Sequence, residues 1–87
     1  MDSVEQMRVL GDPTRVRILA LIRTAPDGRA LVGDLARALD LRQPTVSHHM
    51  KKLVDAGLLT REQKGRWAHY SVVPSAFAEL RSFLDIA

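Results

Sequence analysis

No cysteine occurs among the 87 residues. That excludes disulfides, zinc knuckles, thiolate nucleophiles and thiol redox sensing together. Long apolar runs are missing too. The longest stretch without a charged residue, Trp67 to Ala78, has 12 residues, where a membrane-spanning helix needs about 20. Positive charge is missing from the extreme N-terminus, where Asp2 and Glu5 stand, so a secretory leader is not expected. There is no internal repeat or low-complexity stretch. What the chain does have is apolar content, 46% hydrophobic residues with 23 Leu, Ile and Val. That is enough for a packed core, and the length suits one domain and not two. The expectation is a single cytoplasmic domain over residues 1–87, with no membrane partner.

The net charge of +3 is unevenly spread. Residues 1–40 carry six arginines and six acids, which cancel. Residues 41–73 carry Arg42, Lys51, Lys52, Arg61, Lys64 and Arg66 against Asp55 and Glu62, a balance of +4. One contiguous third of the chain therefore holds the positive field, as a polyanion-binding surface would. A plain solvated surface is the alternative at this level.

Punctuation divides the chain into helices. Ser3-x-x-Gln6 is a capping-box signal for a first helix ending near Leu10. Asp12 and Pro13 suit the N-cap and first position of a second helix running to Arg23. The Thr24–Gly28 stretch reads as a turn. Val32, Leu35, Ala36 and Leu39 mark a short third helix. In a fourth, from Gln43 to about Ala56, Val46, Met50, Leu53 and Val54 follow the i, i+4, i+7, i+8 spacing of a buried face. Gly57 ends it in a left-handed conformation. Leu58–Gln63 and Arg66–Val72 then read as a hairpin about Lys64-Gly65. Pro74-Ser75 opens a last helix, on which Ala76, Phe77, Leu80, Phe83 and Leu84 share an arc of about 120°. The fold class is mainly α with a small β-hairpin, in the order α-α-α-α-β-β-α.

The fourth helix carries the functional signal. Pro44, His48, Lys51 and Lys52 lie opposite its apolar stripe, with Thr45 and Ser47 at the margins, and no acid appears until Asp55. A short helix, the tight link Asp40-Leu41-Arg42 and a helix of this kind read as a helix-turn-helix. Gln43, Thr45, Ser47, His48, Lys51 and Lys52 are side chains able to bond base edges or phosphates in a DNA major groove. Lys64 and Arg66 on the hairpin, acting as a wing, can reach flanking phosphates. Ser47, His48 and His49 do not form a catalytic or metal cluster, because adjacent helical residues diverge by about 100°. His49, nearer the apolar flank, reads as a packing histidine. Trp67 is either a packing residue under the wing or a ring near a dimer contact, and packing is the reading preferred. A winged-helix module that binds protein is the rival function, but its reading face should expose large apolar anchors, and this one has none.

Two stretches are similar to the ArsR/SmtB family of winged helix-turn-helix regulators. They are Leu10-Gly11-Asp12-Pro13-Thr14-Arg15-Val16-Arg17-Ile18-Leu19 and Gln43-Pro44-Thr45-Val46-Ser47-His48-His49-Met50-Lys51-Lys52-Leu53. Ala56-Gly57-Leu58-Leu59 and Gly65-Arg66-Trp67 extend the match. The resemblance implies a homodimeric, operator-binding transcriptional regulator, usually a repressor of its own operon, and not an enzyme. Its partners would be double-stranded DNA and a second copy of the chain. Val4, Met7, Phe77, Leu80 and Leu84 on the first and last helices are the expected dimer residues. The departures are equally definite. Leu31-Val32-Gly33-Asp34-Leu35 stands where the family's metal site has Cys-Val-Cys-Asp-Leu, and the last helix has no histidine for the family's other site. No metal and no cofactor are expected, and the inducer is unknown. Arg42 replaces the family's capping Ser and is placed with the DNA-binding residues, beside a helix N-terminus where it can hold a phosphate.

Overall fold

The computed structural model describes residues 2–86. Five helices, α1 (Ser3–Val9), α2 (Pro13–Thr24), α3 (Val32–Leu39), α4 (Gln43–Asp55) and α5 (Pro74–Ile86), accompany three strands, β1 (Arg29–Ala30), β2 (Leu59–Lys64) and β3 (Trp67–Val72). The sheet is antiparallel in the order β1-β3-β2. β1 is the one element the sequence did not announce. Two residues are too few to show an alternating pattern, and pairing Arg29 with Ser71 and Ala30 with Tyr70 is what makes them a strand.

Local chemistry explains the boundaries. Asp12 Oδ1 accepts hydrogen bonds from the backbone N–H groups of Thr14 at 2.8 Å and Arg15 at 3.4 Å, and Pro13 opens α2 without a wasted donor. For α1 the expected capping residue is corrected by one position. Asp2, and not Ser3, is the N-cap, its carboxylate accepting from Glu5 N at 2.9 Å. α3 and α4 end in the same way. Leu41 N–H donates to Ala36 O at 3.0 Å across left-handed Asp40 (φ 55°), and Leu58 N–H donates to Leu53 O at 3.0 Å across Gly57 (φ 75°). Both are Schellman stops. They fix the sharp turn from α3 into α4 and the exit from α4 into the hairpin. The hairpin closes on the pair Lys64–Trp67, so its turn is Gly65-Arg66, one residue later than expected. Gly65, at the first central position with φ 61°, supplies the positive φ that a type II′ turn needs there.

The core joins every layer. Ile18 and Ile22 of α2, Val46, Met50 and Leu53 of α4, and Leu58 are wholly buried. Leu35 and Ala36 of α3, Leu59, Tyr70 of β3, and Ala76 and Leu80 of α5 complete the cluster. Three of the four residues read as the inner stripe of α4 are thus at zero exposure, and Val54 is half-buried. The helix is pinned by one face, and its other face is left to solvent.

Two expected placements are corrected here. Leu80 is only 6% exposed and belongs to the protomer core, so it has almost no surface to offer a second copy. Trp67 is 57% exposed and does not pack beneath the wing. It begins β3 beside the hairpin turn, facing an open groove against α3.

Candidate nucleic-acid interface

The outer face of α4 presents Thr45, Ser47, His48, Lys51 and Lys52, all exposed. Pro44 in the first turn has no N–H to satisfy, and Arg42 at the N-cap makes no side-chain capping bond. The first-turn N–H groups of Gln43 and Thr45 have no partner within the helix and lie at the positive end of its dipole, within one turn of the exposed residue Arg42. An anion is favoured there.

The charges on this surface are lightly held. Lys51 Nζ meets Asp55 Oδ2 at 3.1 Å, and Lys64 Nζ meets Glu62 Oε1 at 3.5 Å. Exposed pairs are worth roughly 0.2–1 kcal/mol, so a phosphate can take either lysine without a large penalty. Among the described residues, neither Lys52 nor Arg66 has an acidic partner within 4.0 Å. Arg61 is held differently: its Nε donates to Tyr70 Oη at 3.2 Å and its Nη2 to Gln63 Oε1 at 2.8 Å, bracing the wing.

Gln43 stands apart from the other expected contacts. A methyl group on Gly33 would lie 3.2 Å from its Nε2, so the amide rests on the α3 backbone. With Leu31, Val32, Arg37 and Trp67 it lines a groove of about 410 Å³ between α3 and the wing. Leu31 and Gly33, at the positions compared above with the family's thiolates, line this groove together with the Asp34–Arg37 ion pair and the Gln43 amide.

Two features of the site were invisible in the sequence. His49 Nδ1 accepts a hydrogen bond from Arg15 Nε at 3.1 Å, and Arg15 Nη1 donates to Val9 O at 3.1 Å. Gln6, buried on α1, donates from Nε2 to Ala56 O at 3.0 Å. The partners are separated by 34 and 50 residues, beyond any local pattern. Nearby, partial burial works to raise the Asp12 pKa. The N–H donations of Thr14 and Arg15, with the Arg15 guanidinium charge, overcome it and hold the carboxyl below its ordinary value.

At the far side α1 packs on α5. Val4 (55% exposed), Phe83 (40%) and Leu84 (58%) leave apolar surface on these two helices, with Met7 and Phe77 half-buried beside them. Among the described residues, no group of three or more His, Asp or Glu is placed to hold a metal ion, and no helix is long and apolar enough to cross a membrane.

Known proteins share this fold. Residues 10–62 match the family model of a helix-turn-helix domain. Over 84 residues the chain is 34% identical to the arsenical resistance operon repressor of Escherichia coli (strain K12), covering 97% of this chain and 70% of that protein. The crystal structure of a possible transcriptional regulator for arsenical resistance matches with a TM-score of 0.82 at 32% identity, over 93% of this chain and 81% of the other. A homodimeric winged helix-turn-helix DNA-binding domain of Mycobacterium bovis, a possible ArsR-family regulator, matches with a TM-score of 0.77 over 95% of this chain and 74% of that one. Its 20% identity speaks for the fold alone.

Proposed function

The chain belongs to the ArsR family of winged helix-turn-helix transcriptional regulators, which are not enzymes, and from that premise we propose that it is a homodimeric repressor reading a palindromic operator in duplex DNA. Acting on DNA, it works in the cytoplasm. The observation that carries the reading is the outer face of α4, exposed and free of acid until Asp55, beside a hairpin bearing Lys64 and Arg66. A helix about 10–12 Å across fits a major groove about 12 Å wide. Thr45, Ser47 and His48 meet base edges in this pose. Lys51, Lys52 and the wing cations meet phosphates, and Arg42 meets a phosphate at the N-terminus of α4. Gln43 serves by turning out of its groove, or else buttresses α3.

The two groups of residues should fail differently. Lys52→Ala is expected to weaken binding to every duplex and to lower the salt slope by about one unit for each phosphate left without its cation. Ser47→Ala or His48→Ala is expected to erode discrimination at particular base positions by roughly 1–3 kcal/mol, leaving the salt slope nearly unchanged. Titrations of operator and random duplexes at several salt concentrations separate the two patterns. If all three variants lost affinity evenly for every sequence, the assignment of base readers would fail.

Direct control by zinc, cadmium or arsenite is not expected, although the relatives named above include an arsenical resistance repressor. There is no thiolate in the chain, and borderline metals need three or four convergent ligands. A metal on His48 or His49 would block DNA crudely, without linking a distant site to it. Titration of operator affinity with each metal checks this. A stoichiometric loss exceeding about tenfold (~1.4 kcal/mol) that survives substitution of both histidines would contradict it.

A further inference from the structure

Two polar side chains away from the DNA-facing surface fasten α4 to the α1–α2 unit. Gln6 is 4% exposed and donates to the carbonyl of Ala56, the C-cap of α4. The last carbonyls of a helix have no partner within it, so this bond grips the end of α4 from α1. The other half of the amide is badly served: Gln6 Oε1 is buried and, among the described residues, has no hydrogen-bond partner. Leaving a buried acceptor unpaired costs about what one neutral bond returns. A methionine would fill the same space, removing the orphaned Oε1 but leaving Ala56 O without its donor, one unpaired acceptor exchanged for another. What the amide supplies and methionine cannot is a fixed distance between α1 and the end of α4.

Arg15 makes the second attachment. One guanidinium donates from Nη1 to Val9 O, the last residue of α1, and from Nε to His49 Nδ1 in the middle of α4. Its own N–H is held by Asp12. Both attachments link α1, which carries the exposed Val4, to the helix that faces DNA, the second by way of Arg15 on α2. They sit at different points along α4, so together they fix its tilt as well as its position.

We propose that Gln6 and Arg15 are positioning residues that set the pose of α4 on α1, and through it the preference for operator over random duplex. The inference rests on the DNA-reading function proposed above. Base readout needs donors and acceptors held to within about 0.5 Å and 10–20°, whereas phosphate contacts made by long side chains tolerate a looser helix. Loosening α4 therefore lowers operator affinity and spares random-duplex affinity.

The test compares dissociation constants for an operator duplex, recovered by selection from random sequences, and for a random duplex of equal length. Thermal midpoints are measured alongside, for wild type, Gln6→Met, His49→Leu and His49→Asn. Asn offers Oδ1 on Cγ, where His carries Nδ1, so it keeps an acceptor for Arg15. Gln6→Met is expected to bind operator about tenfold more weakly and random duplex within about twofold of wild type, with a midpoint close to that of wild type. His49→Leu should show the same split, and His49→Asn should recover to within about threefold of wild type. Wild-type operator preference in both Gln6→Met and His49→Leu would overturn the inference. So would parallel losses of midpoint and of affinity for both duplexes, which mark a purely structural role. Should Gln6→Met fail to fold, the His49 pair decides: Asn separating from Leu supports the inference, and equal behaviour overturns it. A wild type without any operator preference overturns the DNA-reading function itself, and this inference with it.

Discussion

Replacing Leu84 with Glu is expected to leave each protomer folded, abolish the dimer at micromolar concentration and cost about 100-fold or more in operator affinity. Leu84 is 58% exposed, so the substitution leaves the protomer core intact. In a two-fold interface every change occurs twice, and isologous contact brings the two copies near each other. Two carboxylates would then replace two apolar side chains on a surface that also carries Phe83 and Val4. The loss in DNA binding follows from geometry. A dimer places two reading helices on half-sites about 10 base pairs apart, so binding of the second is effectively intramolecular. A monomer forfeits that gain and keeps one half-site. Sedimentation equilibrium and duplex titration check both halves of the expectation, and a variant that stayed dimeric would place the interface elsewhere. Leu80→Glu would not be a fair test, because Leu80 belongs to the core and the variant would be expected to unfold.

Leu53→Ala is expected to produce the largest loss of stability, about 2–5 kcal/mol. Leu53 is wholly buried on the inner face of α4, and truncating it removes apolar packing and leaves a cavity in the core cluster. A domain of this size has about 4–13 kcal/mol in hand, so the melting midpoint should fall by roughly 10–30 °C at fixed protein concentration. Lys52→Ala, one residue away on the opposite face, should shift stability by less than about 0.5 kcal/mol. Thermal melts of the two variants report directly which face of α4 is structural. Equal losses would mean that both faces are packed.

The contrast between these neighbours was legible in the sequence because helical periodicity sorts them. Val46, Met50 and Leu53 recur on one side, and Gly57 terminates the helix where a left-handed residue is needed. Asp12-Pro13 announced α2 as plainly, through capping chemistry confined to four residues. The pattern failed where the deciding contact is distant or the signal too short. A helical wheel groups Ala76, Leu80, Phe83 and Leu84 on one arc of α5, but it cannot show where the protomer core stops. Ala76 and Leu80 are buried by the rest of the chain, and Phe83 and Leu84 are not. β1 consists of two residues that become a strand only by pairing with β3. Trp67 looked like a packing residue because large aromatic rings usually are, yet its place beside the hairpin turn leaves it exposed. The Arg15–His49 and Gln6–Ala56 bonds join stretches with no local relation. The exposed outer face of α4 was readable for the opposite reason: the periodicity that buries Val46, Met50 and Leu53 leaves Thr45, Ser47, His48, Lys51 and Lys52 to solvent.

Selection of bound duplexes from a random library asks whether this chain reads a symmetric DNA sequence as a dimer, the proposal on which the rest depends. Enrichment of an imperfect palindrome is expected, with half-sites about 10 base pairs apart or a near multiple of that spacing. The bound complexes should contain two protomers per duplex. A library that showed no enriched sequence after repeated rounds, or an enriched single half-site bound by one protomer, would contradict the proposal.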